Sequence, residues 1–189
     1  MVDNLTRCDW RTSEQILIQY HDTEWGVPVH DDHRLFEYLA LDCFQAGLSW
    51  LTVLKKRENF RKAFDNFNIP SVASYDNKKV AQLLNDPGII RNRQKIEATI
   101  NNAQRILDLL KNFESFDKYI WQFTGYKTII NHWKDISELP VTSKESDEMS
   151  KDLKSRGFKF AGSTICYAFM QSVGMVNDHT VDCFRHRQV

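Results

Sequence analysis

Apolar residues recur along this chain mostly at the three- and four-residue spacing of amphipathic helices. One such stripe contains Leu35, Leu39, Asp42 and Ala46. A second contains Ile96, Ile100, Ala103, Leu107 and Leu110. Alternating runs typical of strands are nearly absent, and residues 127–130 are the one short candidate. The pattern therefore predicts an all-α fold.

Helix boundaries are marked most clearly in the last third of the chain. Thr142 followed by Glu145 is typical of a capping box, and Gly157 supplies a stop for the helix that this box begins. The next helix is predicted to begin near Ser163 and to close at Gly174. A short glycine-bearing hairpin is expected between these two helices.

Length and composition predict one folding unit. The 189 residues, of which 42% are hydrophobic and 26% charged, can form a full core. Neither a repeat nor a flexible linker divides the chain. We expect a single domain over residues 1–189, with room for two helical lobes.

The charge balance limits the function classes. Lys and Arg together number 25, as do Asp and Glu, so the net charge of zero argues against a protein that coats nucleic acid through bulk charge. A net charge of zero is still compatible with a basic face on one side of the protein. No segment has the pattern of a signal peptide or of a membrane span, so we expect a cytoplasmic protein without a membrane partner.

Cysteine and histidine pairs lie near the two ends of the chain. They are Cys8 with His21, and His179 with Cys183. Such a Cys₂His₂ set is typical of zinc, and four protein ligands would make the metal structural, because no position is left for water. The spacing alone leaves a second interpretation open, in which Cys8 is a free surface thiol and His21 a hydrogen-bonded core residue.

Asp42 is a carboxylate on an otherwise apolar helical stripe. A buried charge needs a partner, and a cationic ligand is one possibility. Solvent access near a helix end, or capping of a neighbouring helix, is the alternative. Four large rings lie in the same part of the sequence and are able to bind a flat cation through their faces: Trp10, Tyr20, Trp25 and Trp50.

The glycine-bearing hairpin has the chemistry of a phosphate site. Free backbone N–H groups after Gly162, the hydroxyls of Ser163 and Thr164, and the ammonium of Lys159 can bind a DNA phosphate without reading sequence. As a bare pattern it equally fits an ordinary helix connection. Two basic runs, 55–57 and 91–95, either extend this face or are solvated helix surface.

Four segments, in this order, are similar to signatures of one family: YHDTEWGVP at 20–28, QAGLSWLTVLKKRENF at 45–60, GIIRNRQKI at 88–96 and RGFKFAGSTICYAFMQSVGMVNDH at 156–179. Together they resemble the DNA-3-methyladenine glycosylase I family, a bacterial branch of the helix–hairpin–helix glycosylases. The resemblance covers nearly the whole chain and implies that fold.

The resemblance also implies roles for the candidate residues. It implies a structural zinc ion bound by the four Cys and His residues, and a flipped base held by Trp10, Tyr20 and Trp50 with a carboxylate at position 42. The sequence departs from the family at two positions. Asp42 stands where the family usually has Glu, and Leu17 stands where a tyrosine is common.

The implied reaction is monofunctional hydrolysis of the bond between 3-methyladenine and its sugar in double-stranded DNA, by a monomer without an obligate protein partner. Asp42 and Tyr20 would be catalytic, and Leu48 would fill the gap left by the rotated nucleotide. Asp178 would act either near the sugar or in support of the metal. A damage-binding module without turnover and a zinc-dependent hydrolase are the rival interpretations.

Overall fold

The computed structural model describes residues 5–10 and 12–189. Ten α-helices make up most of that part of the chain: α1 (Gln15–Thr23), α2 (Asp32–Gln45), α3 (Trp50–Leu54), α4 (Arg57–Ala63), α5 (Ile69–Ala73), α6 (Asn77–Asn85), α7 (Arg93–Leu109), α8 (Phe116–Trp121), α9 (Lys144–Ser155) and α10 (Ser163–Ser172). The remaining elements are 3-10 turns at Asp65–Phe67, Gln122–Thr124 and Ile136–Glu138, and two short strands. The predicted helical class is confirmed.

The two strands form a minimal parallel pair. β1 (Ile129–Ile130) lies beside β2 (Val176–Asn177), with Ile129 opposite Val176. β1 falls within the strand candidate at 127–130, whereas β2 was not predicted. The pair joins the segment after α8 to the segment after α10.

Helix α2 lies at the centre of the molecule and packs against α3, α7, α8 and α10. Asp31 caps its first turn by accepting a hydrogen bond from the Arg34 backbone N–H. At its other end the buried Lys95 ammonium donates to the carbonyls of Phe44 and Ala46, at 2.8 and 2.5 Å. These bonds satisfy carbonyls that a helix end leaves without partners.

The burial of α7 corrects its predicted apolar stripe. Ile96, Ile100 and Ala103 are buried as expected, but the stripe continues through Ile106 and Leu109. Leu107 is half-buried and packs against the core, whereas Leu110 is exposed, so only Leu110 was assigned to the wrong face. The error arises because either of two adjacent apolar residues fits the helical spacing there.

Helices α9 and α10 flank the hairpin at 156–162 and pack on each other. α9 is capped by Ser143, whose hydroxyl and that of Ser146 form the reciprocal capping box. The predicted box at Thr142 and Glu145 was therefore one residue early. Gly157 has a left-handed φ of +85°, and α10 begins at Ser163 as predicted.

None of the described helices combines the length and the apolar character needed to cross a bilayer.

We expect Gly174→Ala to destabilise the protein by about 3 to 5 kcal/mol, through positive φ and steric overlap together. Gly174 has a φ of +73°, and an added Cβ would lie 2.3 Å from the Val27 carbonyl carbon and 2.4 Å from the Pro28 nitrogen. Gly47→Ala is the matched control, because Gly47 has a φ of +77° but no atom within 4 Å of an added Cβ. Urea unfolding of both variants should show the larger loss for Gly174→Ala, and equal losses would contradict the packing described.

Candidate active site and candidate metal centre

A cavity of about 380 Å³ lies between α1, α2, α3 and α10, a size typical of small-molecule sites. Its wall is mainly apolar and aromatic. It is formed by Trp10, Leu17, Tyr20, Trp25, Asp42, Gln45, Ser49, Trp50, Leu51, Leu139, Ala168, Gln171 and Ser172. The Asp42 carboxylate and the four rings predicted to bind a flat cation are all among them.

The aromatic rings of the wall contact one another. The Tyr20 and Trp50 ring centroids are 5.4 Å apart, and those of Trp10 and Trp25 are 4.9 Å apart in an edge-to-face arrangement. Trp10 and Tyr20 are 6.2 Å apart. The fold therefore gathers rings from the N-terminal segment, α1, the turn after α1, and α3 around one space.

Asp42 is the charged group of this wall. It is 2% exposed, and neither carboxylate oxygen has a hydrogen-bond partner among the described residues. Burial raises the pKa of Asp42 well above its ordinary value, and the nearby Ser172 hydroxyl lowers it only in part. The alternative in which Asp42 reaches solvent or caps a helix is wrong. The group faces the cavity as an unpaired acid.

Two further polar groups border the cavity. Burial raises the pKa of Tyr20 well above its ordinary value, so its phenol stays protonated and donates to Ser172 Oγ at 3.2 Å. The buried Trp50 Nε1 has no partner among the described residues. Hydrogen-bonding capacity inside the cavity is thus left for a ligand.

The sequence analysis missed the contribution of α10 to this wall. Ala168, Gln171 and Ser172 lie at i, i+3 and i+4 and so share one face of the helix. That spacing could have revealed the contribution of α10 to the wall, because this face of α10 packs towards α2. Gln45 and Ser49 were missed for a different reason, since they lie in or beside the loop between two helices.

Asp178 is fully engaged in hydrogen bonds. It is 1% exposed and accepts four bonds of 2.7 to 2.8 Å. The donors are Asn131 Nδ2, Trp133 Nε1, Tyr167 Oη and Gln171 Nε2. None of these bonds involves the neighbouring His179, so the expected support of the metal through Asp178 is wrong. Its contact with the cavity wall is through Gln171.

The two ends of the chain meet at a buried cluster of four candidate ligands. The ligand atoms of Cys8, His21, His179 and Cys183 all lie within 4.8 Å of one another. Three sulfur-to-nitrogen distances are 3.5 Å. Zn–S bonds of about 2.3 Å and Zn–N bonds of about 2.0 to 2.1 Å in a tetrahedron place sulfur and nitrogen about 3.5 Å apart. The donor set and its spacing therefore fit zinc.

Each histidine of the cluster is oriented by a bond at its other ring nitrogen. His21 Nδ1 is 2.8 Å from Asp22 Oδ1, and His179 Nε2 is 3.0 Å from the Trp25 carbonyl. Both partners are acceptors, which favours the tautomers whose other ring nitrogen, facing the sulfurs, is able to bind a metal. Cys8 is 6% exposed, and the surface-thiol interpretation is wrong.

The predicted DNA-contacting residues lie at the surface. Lys159 and Thr164 are exposed, Gly162 and Ser163 are half-buried, and Leu48 is 43% exposed. Ser163 Oγ is 2.5 Å from Asp147 Oδ1 and 2.8 Å from Ser146 Oγ. Its hydroxyl is thus engaged within the protein, which leaves the backbone N–H groups of the helix start for a ligand.

Asn102 on α7 fixes the position of the hairpin. Its side-chain amide accepts from the Lys159 backbone N–H at 2.8 Å and donates to the Lys159 carbonyl at 3.0 Å. The paired amide bonds hold the hairpin backbone against α7.

Three of the six cations in the two basic runs have structural contacts, and the other three are exposed. Arg57 forms a two-pronged ion pair with Glu24, and Lys56 donates to the carbonyls of residues 87 and 88. Lys95 binds the end of α2, as described above. Of the second run, Arg91 and Arg93 remain exposed at the surface.

The free energy of unfolding of the Asp42→Asn variant, relative to that of the parent, should increase as the pH rises. A raised acid pKa means that the folded state binds the proton more tightly than the unfolded chain, so burial of Asp42 costs stability above about pH 3.9. Between about pH 4.5 and 7.5 the stability difference should shift by about 1 to 3 kcal/mol in favour of Asp42→Asn. Urea unfolding at both pH values measures the shift, and a constant difference would show that the carboxylate is solvated.

Known proteins resemble this chain over almost its whole length. Residues 10–186 match the family model described as methyladenine glycosylase. The chain is 48% identical to DNA-3-methyladenine glycosylase 1 of Escherichia coli (strain K12), over 95% of this chain and 96% of that protein. A crystal structure of 3-methyladenine DNA glycosylase I (TAG) superposes with a TM-score of 0.92 at 47% identity, covering 95% of this chain and 98% of the other.

The likeness extends to a structure that describes 3-methyladenine recognition by 3-methyladenine DNA glycosylase I (TAG) from Staphylococcus aureus. Its TM-score is 0.92 at 34% identity, and the match covers 96% of this chain and 97% of the other. Both the sequence and the helical architecture thus match over almost their full length. The chain belongs to the methyladenine glycosylase family.

Proposed function

We propose that this protein is a DNA glycosylase of base-excision repair, which hydrolyses the N-glycosidic bond of 3-methyladenine in double-stranded DNA. The observation that carries the proposal is the unpaired, buried carboxylate of Asp42 in an aromatic cavity. A buried charge without a partner is costly, and a cationic ligand would remove that cost. Family membership and the names of the relatives support the same activity.

The chemistry follows from the charge of the damaged base. Methylation at N3 makes the adenine of a nucleotide cationic, so it leaves as a neutral base and needs little protonation. Asp42 pairs with that positive charge, and the faces of Trp10, Trp25 and Trp50 add cation–π attraction of about 0.5 to 2 kcal/mol each. Tyr20 donates a hydrogen bond to the base in place of Ser172. Water then attacks the sugar carbon, and the strand stays intact.

DNA engagement is assigned to the hairpin and to the loop before α3. The target nucleotide must rotate out of the duplex to reach the cavity. Leu48 is an exposed apolar side chain three residues from Gln45 in the cavity wall, and we assign it to the vacated space. Backbone N–H groups at Gly162, Ser163 and Thr164, with the Lys159 ammonium, would bind phosphate in a helix–hairpin–helix arrangement.

We further propose that Cys8, His21, His179 and Cys183 hold a structural zinc ion. Their donor atoms and spacing support it. Four protein ligands leave no position for substrate or water, so the ion would stabilise the joined chain ends without acting as a Lewis acid. A zinc-dependent hydrolase does not fit this arrangement.

We also propose a domain organisation, an oligomeric state and a location for the protein. Residues 1–189 would form a single domain, since one buried apolar cluster extends from Cys8 to Cys183. The protein would act as a monomer in the cytoplasm, close to the nucleoid through its substrate, without an obligate protein partner. A binding module without turnover is the second candidate, favoured by the shorter acid at Asp42 and by Leu17 in the cavity wall.

Purified protein should release 3-methyladenine from methylated duplex DNA and leave the strands intact. Asp42→Asn should lower the release rate by about 100-fold or more, because it removes the charge that stabilises the reacting cation. Asp42→Glu, which keeps the charge, is the matched control and should retain activity. Chromatography of released bases measures all three, and tight binding to methylated DNA without any release would favour the binding module.

Elemental analysis should find one zinc ion per chain. Cys183→Ser should lose the ion and melt at a lower temperature, because the chain ends are no longer joined. Cys166→Ser is the matched control, since Cys166 is also fully buried but lies outside the cluster. Equal zinc content in both variants would contradict the assignment.

A further inference from the structure

Leu48 is the last residue of a tight turn that leads from α2 towards α3. Ala46 has φ −47° and ψ 115°, and Gly47 has φ +77°. The Leu48 backbone N–H donates to the Gln45 carbonyl at 2.6 Å. These values define a type II turn over residues 45–48, in which the third residue needs a positive φ. The conformation of the turn therefore decides where the exposed Leu48 side chain points.

The Lys95 ammonium binds the peptide that distinguishes this turn from its common alternative. Type I and type II turns differ by a rotation of about half a turn of the peptide between their two central residues. Here that peptide joins Ala46 to Gly47, and its carbonyl oxygen lies 2.5 Å from Lys95 Nζ. The same ammonium donates to the Phe44 carbonyl of α2 at 2.8 Å. Rotation of the peptide would carry its oxygen away from the ammonium.

Neither burial nor position in its own helix favours a cation at Lys95. The residue is 6% exposed, and burial lowers the pKa of Lys95 below its ordinary value. Its ammonium donates to carbonyl oxygens rather than to a carboxylate. It also lies in the first turn of α7, where the positive end of the helix dipole opposes it. The favourable interactions of this charge are therefore with the end of α2 and the turn.

The segments on both sides of these contacts are fixed. Asn92 caps α7 by accepting a hydrogen bond from the Lys95 backbone N–H at 3.1 Å, and α7 packs against α2 and α5. After the turn, the Ser49 hydroxyl accepts from the Thr52 backbone N–H and caps α3. The turn thus lies between two anchored helices, and Lys95 is the side chain that binds its central peptide.

A fixed turn matters for a side chain that must enter a base stack. Insertion separates stacked bases, which is unfavourable. A turn that exchanges between two conformations presents Leu48 in the inserting one for only part of the time, so insertion then costs additional free energy. A turn held in one conformation avoids this loss.

We propose that Lys95 is a positioning residue for base rotation: its ammonium fixes the central peptide of the turn at 45–48 and thereby holds Leu48 ready to enter the duplex. The inference rests on the proposed function, since it concerns how the target nucleotide leaves the stack. Lys95 acts through the turn and contacts neither the base nor the sugar.

The test uses a DNA duplex in which a tetrahydrofuran abasic analogue lies opposite 2-aminopurine. The fluorescence of 2-aminopurine rises when its stacking is disturbed, so it reports insertion of Leu48 without any chemical step. Saturating parent protein should raise the fluorescence, and Leu48→Ala should remove most of the rise. Lys95→Met keeps the length of the side chain without its charge and should also remove most of the rise. Its rate of 3-methyladenine release from methylated duplex DNA should fall about tenfold.

Lys56→Met is the matched control. The Lys56 ammonium also donates to two carbonyls, those of Pro87 and Gly88, at 3.0 and 3.2 Å. These carbonyls lie in the connection between α6 and α7, so the substitution removes the same kind of contact away from the turn. This variant should keep the full fluorescence rise and the release rate of the parent.

Binding of free 3-methyladenine separates positioning from a general loss of structure. Its affinity, measured by quenching of tryptophan fluorescence, reports the cavity alone and should be the same in Lys95→Met as in the parent. Adding Lys95→Met to Leu48→Ala should cause no further loss of release rate, because Lys95 acts through Leu48. If Lys95→Met does not fold, Lys95→Gln decides. Its uncharged amide is one atom shorter and should still reduce the rise, and an unchanged rise would overturn the inference.

A full fluorescence rise in Lys95→Met would overturn the inference, and so would a parent protein that causes no rise. Equal losses of insertion and of free-base affinity would also overturn it, because Lys95 would then support the whole cavity. If the parent causes the rise but releases no base, and Lys95→Met lacks the rise, the glycosylase activity fails while the role of Lys95 stands. If the parent releases 3-methyladenine and Lys95→Met matches it in rate and rise, the activity stands and the role of Lys95 fails.

Discussion

An unpaired carboxylate held out of water is the constraint on which this molecule depends. Asp42 lies on α2, the helix that packs against four others, and neither of its oxygens has a partner among the described residues. A buried carboxylate without a partner lowers the stability of the fold, so it persists only where other interactions stabilise the surrounding structure. The cap at Asp31 and the Lys95 ammonium secure the two ends of α2. The packing of this helix and the contacts at its two ends hold the acid in the cavity wall.

The cavity and the candidate metal centre share a wall. Tyr20 and His21 are neighbours on α1, and one faces the cavity while the other belongs to the ligand cluster. The ring centroids of His21 and Trp10 are 5.0 Å apart, and those of His179 and Trp25 are 4.6 Å apart. The cluster therefore also packs against the aromatic rings on the side away from the cavity. The shape of the cavity depends on how firmly the chain ends are joined.

Local patterns in the sequence predicted much of the helical fold and several residues of the cavity wall. Helical spacing located α2 and α7, and it placed Asp42 on a buried stripe, because periodicity follows directly from helix geometry. Boundary residues located α10. The aromatic wall and the ligand cluster were assembled from residues far apart in the chain. Their members were recognised from residue type and family resemblance, and their distances came only from the structure.

What the sequence did not predict depends on contacts between distant segments. Lys95 belongs to a basic run that resembles solvated surface, yet it is buried because two carbonyls at the end of α2 need a donor. β2 has two residues and exists only through its pairing with β1. The bond between Gln171 and Asp178 likewise joins a helix to the strand end that follows it, and no local pattern marks it.

The central claim concerns the state of the Asp42 carboxyl group, and a ¹³C NMR titration of that group tests it most directly. In the empty protein the account predicts a titration midpoint well above about 3.9, the ordinary value for aspartate. Saturation with a permanently cationic purine, 3,9-dimethyladeninium, should move the midpoint downwards, because the bound charge favours the ionised form. An ordinary midpoint in the empty protein, or one that the cation leaves unmoved, would contradict the account.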